Sequence, residues 1–277
     1  MKILLVLALV AGPALAIAEG PTKLADQTSD LDMPAAMADP VGTLSAVIGH
    51  MQEANRQVKD ATCIFHKKEY KKGNLPAEVI DMKVRAQPPS VYMKWKDPEA
   101  KRDREVIWRA GWNDNEICAR SGSTVLSLAP NSRLAMKDDR HPISDAGFAS
   151  TIKFFADDLE IGRNDPKCFT QLTGPREEHV YGSESDCYEM ETDKADKARC
   201  PHLYGYRAQF CIDKSSELPN KIQVWDLEDG QIRLVESYGY EQIRVNVGLT
   251  DADFDPSNEA YGFRERNLFS KLFLGCK

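Results

Sequence analysis

The chain has 277 residues, with 36 Lys and Arg against 43 Asp and Glu, so its net charge at pH 7 is −7. This acidic balance argues against a nucleic-acid-binding protein or a protein drawn to anionic membranes, because both need a basic face. Hydrophobic residues make up 42% of the chain and charged residues 29%, which is the balance of an ordinary globular protein. The length is sufficient for one large domain with a buried core.

The N-terminus is typical of a secretory signal peptide. Lys2 supplies a positive charge, the apolar run Ile3–Ala11 follows, and two small-x-small sites, Ala14-Leu15-Ala16 and Ala16-Ile17-Ala18, come next. The alternative is a membrane anchor, but the run is shorter than the ~20 residues that a span needs. We predict a signal peptide at residues 1–18, export to the periplasm or outside the cell, and no transmembrane span in the mature chain.

Residues 19–39 have a polar, Pro-containing composition without apolar periodicity, which predicts a disordered linker. A single domain is predicted over residues 40–277. Asp39-Pro40 is a favourable helix start, because Asp is a good cap and Pro suits the first helical position. Helical spacing of apolar residues then predicts an amphipathic helix over residues 40–59 that packs on the core.

After residue 60 the hydrophobic period changes to two, which predicts short antiparallel strands. Val91, Met93 and Trp95, for example, share one face of their strand. The strands predicted in this half are Ala61–Tyr70, Glu78–Ala86, Ser90–Lys96, Arg104–Ala110, Glu116–Arg120 and Thr124–Leu128.

A second helix is predicted near residues 145–160, with Ser144 as its cap. Asp157, Asp158 and Glu160 near its end could serve acid–base chemistry, but neighbouring carboxylates on a helix more often form a solvated face. Further strands and a short C-terminal helix over Glu265–Leu274 follow. These later strands are Phe169–Thr173, Asp186–Glu191, Tyr206–Asp213, Lys221–Leu227, Gln231–Tyr240 and Ile243–Val247.

These elements indicate an α+β fold, mainly antiparallel β, in which a curved, half-barrel-like sheet carries two or three helices. A sheet of about twelve strands must curl, close or be covered, because its edges are otherwise open to pairing. Two or three helices cannot cover the whole apolar face of a sheet of this size. Part of that face is therefore expected to line a cavity. Met82, Met93, Trp95 and Trp108 are the candidate ligand-binding residues. The alternative is that the same side chains form a filled core.

The seven cysteines include no CxxC pair, so the sequence supports neither a redox motif nor a zinc ribbon. Export permits disulfides, and an odd number leaves at least one thiol free. Cys187 and Cys200 flank a short charged segment, and we predict a disulfide between them. Cys63, between Thr62 and Ile64, is expected to be a buried, inert thiol.

The sequence contains none of the common catalytic signatures, such as GxSxG, HExxH, a Walker loop or GxGxxG after a strand. No metal site or cofactor is therefore predicted, and the chain is not expected to be an enzyme. Asp251, Asp253 and Asp255 resemble the start of a calcium loop, but Pro256 stands where such a loop needs Gly. Thr250 and Asp253 better fit the cap of a single helical turn.

Two stretches resemble the family called domain of unknown function 1571 (DUF1571), whose members are exported bacterial proteins without an established activity. The first runs from Lys83 through Trp95, and the second from Asn246 through Pro256 to the Tyr261-Gly262-Phe263 end. The resemblance covers roughly residues 44–263. It implies no catalytic residues, because the family defines none.

A more distant similarity is to the periplasmic lipoprotein carriers of the Lol type. It is carried by Arg85, Pro88, Tyr92, Trp95 and Pro98. That resemblance implies an open half-barrel that holds acyl chains beneath helices.

Two functions remain open from the sequence. One is a carrier or sensor of a lipid or other apolar ligand. The other is a cell-envelope module whose fully packed sheet binds envelope proteins. A hydrolase is the weaker third possibility. No nucleic-acid partner is expected.

Overall fold

The computed structural model describes residues 37–196, 198–264 and Cys276. The signal peptide predicted at residues 1–18, most of the predicted linker and the helix predicted over 265–274 lie outside these residues. The described part contains two helices, α1 (Pro40–Arg56) and α2 (Phe148–Asn164). Its strands are β1 (Asp60–Glu69), β2 (Ala77–Arg85), β3 (Ser90–Asp97), β4 (Glu105–Arg109), β5 (Ile117–Ser121), β6 (Thr124–Leu128), β7 (Phe169–Val180), β8 (Ser183–Thr192), β9 (Arg207–Asp213), β10 (Pro219–Glu228) and β11 (Gln231–Val245).

All eleven strands belong to one open, antiparallel sheet, in the order β6-β5-β4-β3-β2-β1-β11-β10-β9-β8-β7. Two meanders, β1–β6 and β7–β11, are joined where β1 pairs with β11, as in Phe65 opposite Tyr240. The two edge strands, β6 and β7, are the strands that α2 connects along the chain. The predicted fold class, a curved antiparallel sheet with helices on it, is confirmed.

Both helices pack on one face of the sheet and share its main core. Leu44, Ile48 and Met51 of α1 are buried in that core, as the apolar spacing predicts. The Asp39 side chain caps α1 by accepting a hydrogen bond from the Gly42 N–H at 2.8 Å. The predicted Ser144 cap of α2 is wrong, because residues 143–145 form a separate 3₁₀ turn and α2 begins after Gly147. In the described part of the chain, neither helix is long and apolar enough to cross a membrane.

The opposite face of β3–β5 is covered by the segment that follows β11. Tyr261 stacks on Tyr92 with 4.1 Å between ring centroids, and Phe254 is fully buried beside them. Thr250 and Asp253 form the predicted capping box of a single turn. Asp253 also accepts a hydrogen bond from Lys83 at 2.8 Å. The two stretches that carry the DUF1571 resemblance thus contact each other on the face that the helices do not cover.

Three disulfides connect distant parts of the chain. They join Cys118 to Cys276, Cys168 to Cys200 and Cys187 to Cys211. Cys63 is free and buried, as predicted, and burial raises the pKa of its thiol to about 12. A thiol with so high a pKa carries almost no reactive thiolate at neutral pH.

The disulfide predicted between Cys187 and Cys200 is wrong. Cys187 on β8 lies directly opposite Cys211 on β9, with their Cα atoms 4.0 Å apart. Cys200 lies in the connection between those strands, where it is buried beside Cys168, the residue just before β7. Strand register therefore decides the pairing, and proximity along the sequence does not.

Two helical glycines give a matched test of the packing of α2. A Cβ atom on Gly162 would lie 1.8 Å from the Phe169 ring, whereas a Cβ atom on Gly49 of α1 would meet nothing within 4 Å. We expect Gly162→Ala to lower the free energy of unfolding by about 1–3 kcal/mol through overpacking. Gly49→Ala should raise it by about 0.5–1 kcal/mol, because Ala favours the helix. Urea denaturation of both variants checks this, and equal effects would contradict the described contact.

Candidate functional site

A cavity of about 370 Å³ lies between the sheet face that carries the helices, helix α2 and residues 129–147. We call residues 129–147 the covering segment. It leads from β6 to α2. The strand residues that line the cavity come from β1, from β3 to β6 and from β8 to β11.

One wall of the cavity is apolar. It is formed by neighbouring strands of the first meander and by the covering segment. The side chains that form this wall are Met93, Trp95, Val106, Ile117, Ala119, Leu126, Leu128, Leu134, Ile143 and Ala146. The alternation of the strands produces this wall, because every second residue points to the helix side of the sheet.

Of the four predicted ligand-binding residues, the structure places Met93 and Trp95 at the cavity and the other two elsewhere. Met82 is only 2% exposed and belongs to the packed core. Trp108 lies opposite Val91, one step beyond the pair Met93 and Val106 that borders the cavity. The sequence pattern gives the correct face of each strand, but it does not say how far along the strand the cavity extends.

The other wall of the cavity contains a buried polar network around Glu236 of β11. This carboxylate is only 2% exposed. It accepts hydrogen bonds from Arg140 Nε at 2.8 Å and from the Tyr204 hydroxyl at 2.6 Å, and His141 Nε2 lies 3.2 Å away. Arg140 and His141 belong to the covering segment, so the network fastens that segment to the sheet.

The charges in this network stabilise one another. Burial alone would raise the pKa of Glu236, but His141, Tyr204 and Arg140 outweigh it and hold this pKa below its usual value. Burial alone would lower the pKa of His141, but Glu236 raises it above its usual value. Both shifts favour the ion pair, in agreement with the hydrogen bonds.

A second set of ion pairs fastens the covering segment at Lys67 of β1. The buried Lys67 ammonium contacts Asp139 of the covering segment and lies 3.2 Å from Glu78 and 3.9 Å from Glu69. Burial alone would lower the pKa of Lys67, but these three carboxylates raise it. Lys71 also donates to the Asp139 carbonyl oxygen at 2.6 Å. The covering segment is thus held by polar contacts, although it covers an apolar wall.

Asp158 of α2 also faces the cavity, and it is only 5% exposed. One of its oxygens accepts a hydrogen bond from the Tyr204 N–H at 2.9 Å. Burial raises the pKa of Asp158 to about 7, against the smaller effects of the Tyr204 N–H and of Lys194, which both lower it. The prediction of a solvated face is therefore wrong for Asp158, whereas its neighbours Asp157 and Glu160 are exposed as expected.

The buried Asp158 carboxyl should make stability depend on pH. The pKa of this carboxyl is 3.8 in the unfolded chain and about 7 in the folded protein. Between these two pH values the carboxyl is ionised in the unfolded chain but still protonated in the folded protein. Stability should therefore fall as pH rises through this window and stay reduced above it. We expect Asp158→Asn to raise the free energy of unfolding at pH 8 by about 2 kcal/mol. Urea denaturation at pH 4 and pH 8 checks this, and a gain of equal size at both values would contradict it.

The covering segment and the polar wall were not predicted from the sequence. Residues 129–147 show no apolar period. Their one accessible signal is length, since connections of this size without regular structure are uncommon and often functional. His141 and Arg140 both contact Glu236, which lies far from them along the chain. No pattern of spacing in the sequence predicts contacts between residues so far apart.

One close group of metal-ligating residue types occurs among the described residues, namely Glu178 with Cys187 and Cys211. These two cysteines form a disulfide, so their sulfur atoms are not thiolate ligands. The group lies outside the residues that line the cavity.

A sequence model of the DUF1571 family, described as a protein of unknown function, matches residues 58–263. This match confirms the resemblance seen in the sequence. Comparison with functionally curated proteins gives no match.

Several solved structures match most of this chain at low sequence identity. Lipoprotein LppX of Mycobacterium tuberculosis is 12% identical, with a TM-score of 0.46, over 77% of this chain and 99% of LppX. LprF from Mycobacterium bovis is 11% identical, with a TM-score of 0.43, over 79% of this chain and 97% of LprF. A LolA superfamily protein from Nitrosomonas europaea is 10% identical, with a TM-score of 0.30, over 76% of this chain and 97% of that protein.

Proposed function

We propose that this chain, which belongs to the DUF1571 family, is an exported carrier or sensor of a lipid or other apolar ligand. The observation that carries the proposal is the cavity of about 370 Å³ with one apolar wall that includes Met93 and Trp95. Small-molecule sites have volumes of about 300–1,000 Å³ and are lined mostly by apolar and aromatic side chains. Met adapts to irregular apolar shapes, and Trp supplies a large apolar area.

Binding in this cavity would be driven by burial of apolar surface, at roughly 25 cal/mol per Å² before the costs of association. The covering segment closes one side of the cavity, so its separation from the sheet would widen the cavity for ligand exchange. The ion pairs of Arg140 with Glu236 and of Lys67 with Asp139 resist that separation.

Export is the second part of the proposal. The three disulfides point to an exported protein, because disulfides form and persist in oxidising compartments. We propose that residues 1–18 act as a cleaved signal peptide, that residues 19–39 form a linker and that residues 40–277 form the mature domain. A periplasmic location agrees with this arrangement.

In the alternative function, an envelope-protein interaction module, the sheet is fully packed and has no ligand cavity. The open volume beside Trp95 favours the carrier or sensor instead. Native mass spectrometry of the protein purified from its own cell envelope tests the choice. A bound lipid or other apolar molecule supports the carrier, whereas a ligand-free protein with a bound envelope protein supports the module.

Filling the cavity should abolish binding. Ala119 faces the cavity from β5 between Val106 and Leu126, so Ala119→Phe places a ring in the open volume. We expect affinity for the apolar dye N-phenyl-1-naphthylamine to fall at least tenfold, measured by fluorescence titration. Ala149→Phe is the control, because Ala149 is exposed on α2 and outside the cavity. Unchanged dye binding in a folded Ala119→Phe variant, with folding checked by circular dichroism, would refute the proposed site.

A further inference from the structure

Asp158 has an unused hydrogen-bonding atom inside the cavity. One carboxylate oxygen accepts the Tyr204 N–H, and the other accepts no hydrogen bond from any residue that the structure describes. The side chain is buried and lines the cavity. This second oxygen is not among the fully buried side-chain atoms without a partner, so it is accessible from the cavity and a bound ligand can reach it.

The other buried charges near the cavity already have partners. Glu236 is hydrogen-bonded to Arg140 and Tyr204. Lys67 is surrounded by Asp139, Glu69 and Glu78, so its charge is more than balanced.

The charged side chains that line the cavity have an acidic majority. The acidic ones are Glu69, Asp138, Asp139, Asp145, Asp158 and Glu236, and the basic ones are Lys67, Arg104, Arg120, Lys137 and His141, of which His141 pairs with Glu236. Arg104 lies over the Trp95 ring, Arg120 pairs with the buried Glu105, and Lys137 is exposed. The polar wall therefore presents hydrogen-bond acceptors to a ligand, and most of its cations already contact other side chains.

We propose that the ligand is an amphiphile whose polar end is a protonated amine, and that Asp158 binds this amine while the apolar part lies along Met93 and Trp95. This inference rests on the proposed function, because it names the class of ligand for the same cavity. An ammonium group would give the free Asp158 oxygen a charged donor, and such hydrogen bonds are stronger than neutral ones. An anionic end, by contrast, would face Asp158 and Glu236, and the cations beside Glu236, Arg140 and His141, already contact that carboxylate.

The test compares three ten-carbon probes that differ only in their polar end: decylamine, decanol and decanoate. Each displaces N-phenyl-1-naphthylamine from the wild type, from Asp158→Asn and from Asp157→Asn at pH 8, below micelle-forming concentrations. Asp157→Asn is the matched control, because it removes the same charge from the adjacent, exposed position on α2.

We expect the wild type to bind decylamine at least tenfold more tightly than decanoate. Asp158→Asn should weaken decylamine binding about tenfold, in the range expected for a lost hydrogen bond to a charged group, and change decanol binding less than threefold. Asp157→Asn should leave all three affinities within twofold of the wild type. Decanoate binding equal to or tighter than decylamine binding, or an unchanged decylamine affinity in Asp158→Asn, would overturn the inference and leave the proposed apolar site standing. Failure of the dye and all three probes to bind would overturn the proposed function as well.

Discussion

Removal of the disulfide between Cys118 and Cys276 is expected to lower the free energy of unfolding by about 4–5 kcal/mol. The two cysteines are separated by 158 positions, against 24 for Cys187 and Cys211. In the chain-entropy account a disulfide restricts the unfolded chain, and the restriction grows with the length of the closed loop. The shorter loop predicts about 3 kcal/mol for Cys187–Cys211.

The measurement is guanidinium denaturation, without reductant, of the double variants Cys118→Ala/Cys276→Ser and Cys187→Ala/Cys211→Ser. Cys63→Ala is the control, because Cys63 is buried but free. It should cost about 1 kcal/mol, which is the effect of a small cavity without a lost cross-link. A smaller loss for the Cys118/Cys276 variant than for the Cys187/Cys211 variant would contradict the loop-length argument.

The antiparallel fold could be predicted because each strand carries its own local signal. Val91, Met93 and Trp95 alternate with polar or aromatic neighbours, and the structure places all three in the main core. One pair of predicted strands differs from the structure. The predicted strands Gln231–Tyr240 and Ile243–Val247 form one strand, β11, which ends at Val245. Gln242 has a positive φ of 55°, and the pairing with β1 shifts between Thr62 and Ile64. This β-bulge breaks the alternation without ending the strand.

Connections across long stretches of sequence could not be predicted. β1 pairs with β11 through residues such as Phe65 and Tyr240, and no local pattern specifies that register. The disulfides follow from the same register, since Cys187 meets Cys211 only because β8 and β9 align them. Local periodicity thus predicts strands and faces, whereas partners require the assembled sheet.

The candidate site could be predicted only in part for the same reason. Its apolar wall comes from strand alternation, which places Met93 and Trp95 at the cavity, and their role in ligand binding stays a prediction. Its polar wall comes from the covering segment, whose residue Arg140 lies 96 positions from Glu236. Asp158 looked like part of a solvated face because its exposed neighbour Asp157 has the same chemistry. Burial distinguishes the two, and burial is a property of the fold.

Arg140→Ala is expected to weaken the attachment of the covering segment and to lower the free energy of unfolding at pH 7 by about 2–3 kcal/mol. Arg140 donates to Glu236 at 2.8 Å, to Glu228 at 3.0 Å and to the Tyr70 carbonyl oxygen at 3.3 Å. Its loss leaves the buried Glu236 carboxylate with His141 and Tyr204 as partners. Removing one member of a buried ion pair is strongly destabilising, because the remaining charge stays out of water.

The pH dependence of this loss distinguishes an electrostatic role from simple packing. The pKa of Glu236 is held below 4.5 in the folded protein, so the stability that its ionised form contributes is present above pH 4.5 and is lost as pH falls. The difference between Arg140→Ala and the wild type should therefore shrink as pH falls below 4.5 and through the lowered pKa of Glu236, because a protonated Glu236 no longer needs the charge of Arg140. Arg133→Ala is the matched control, because Arg133 belongs to the same segment but is exposed. Urea denaturation between pH 3 and pH 7 gives the comparison, and a loss that stays constant over this range would show that Arg140 acts through packing of its side chain instead of through the charge of Glu236.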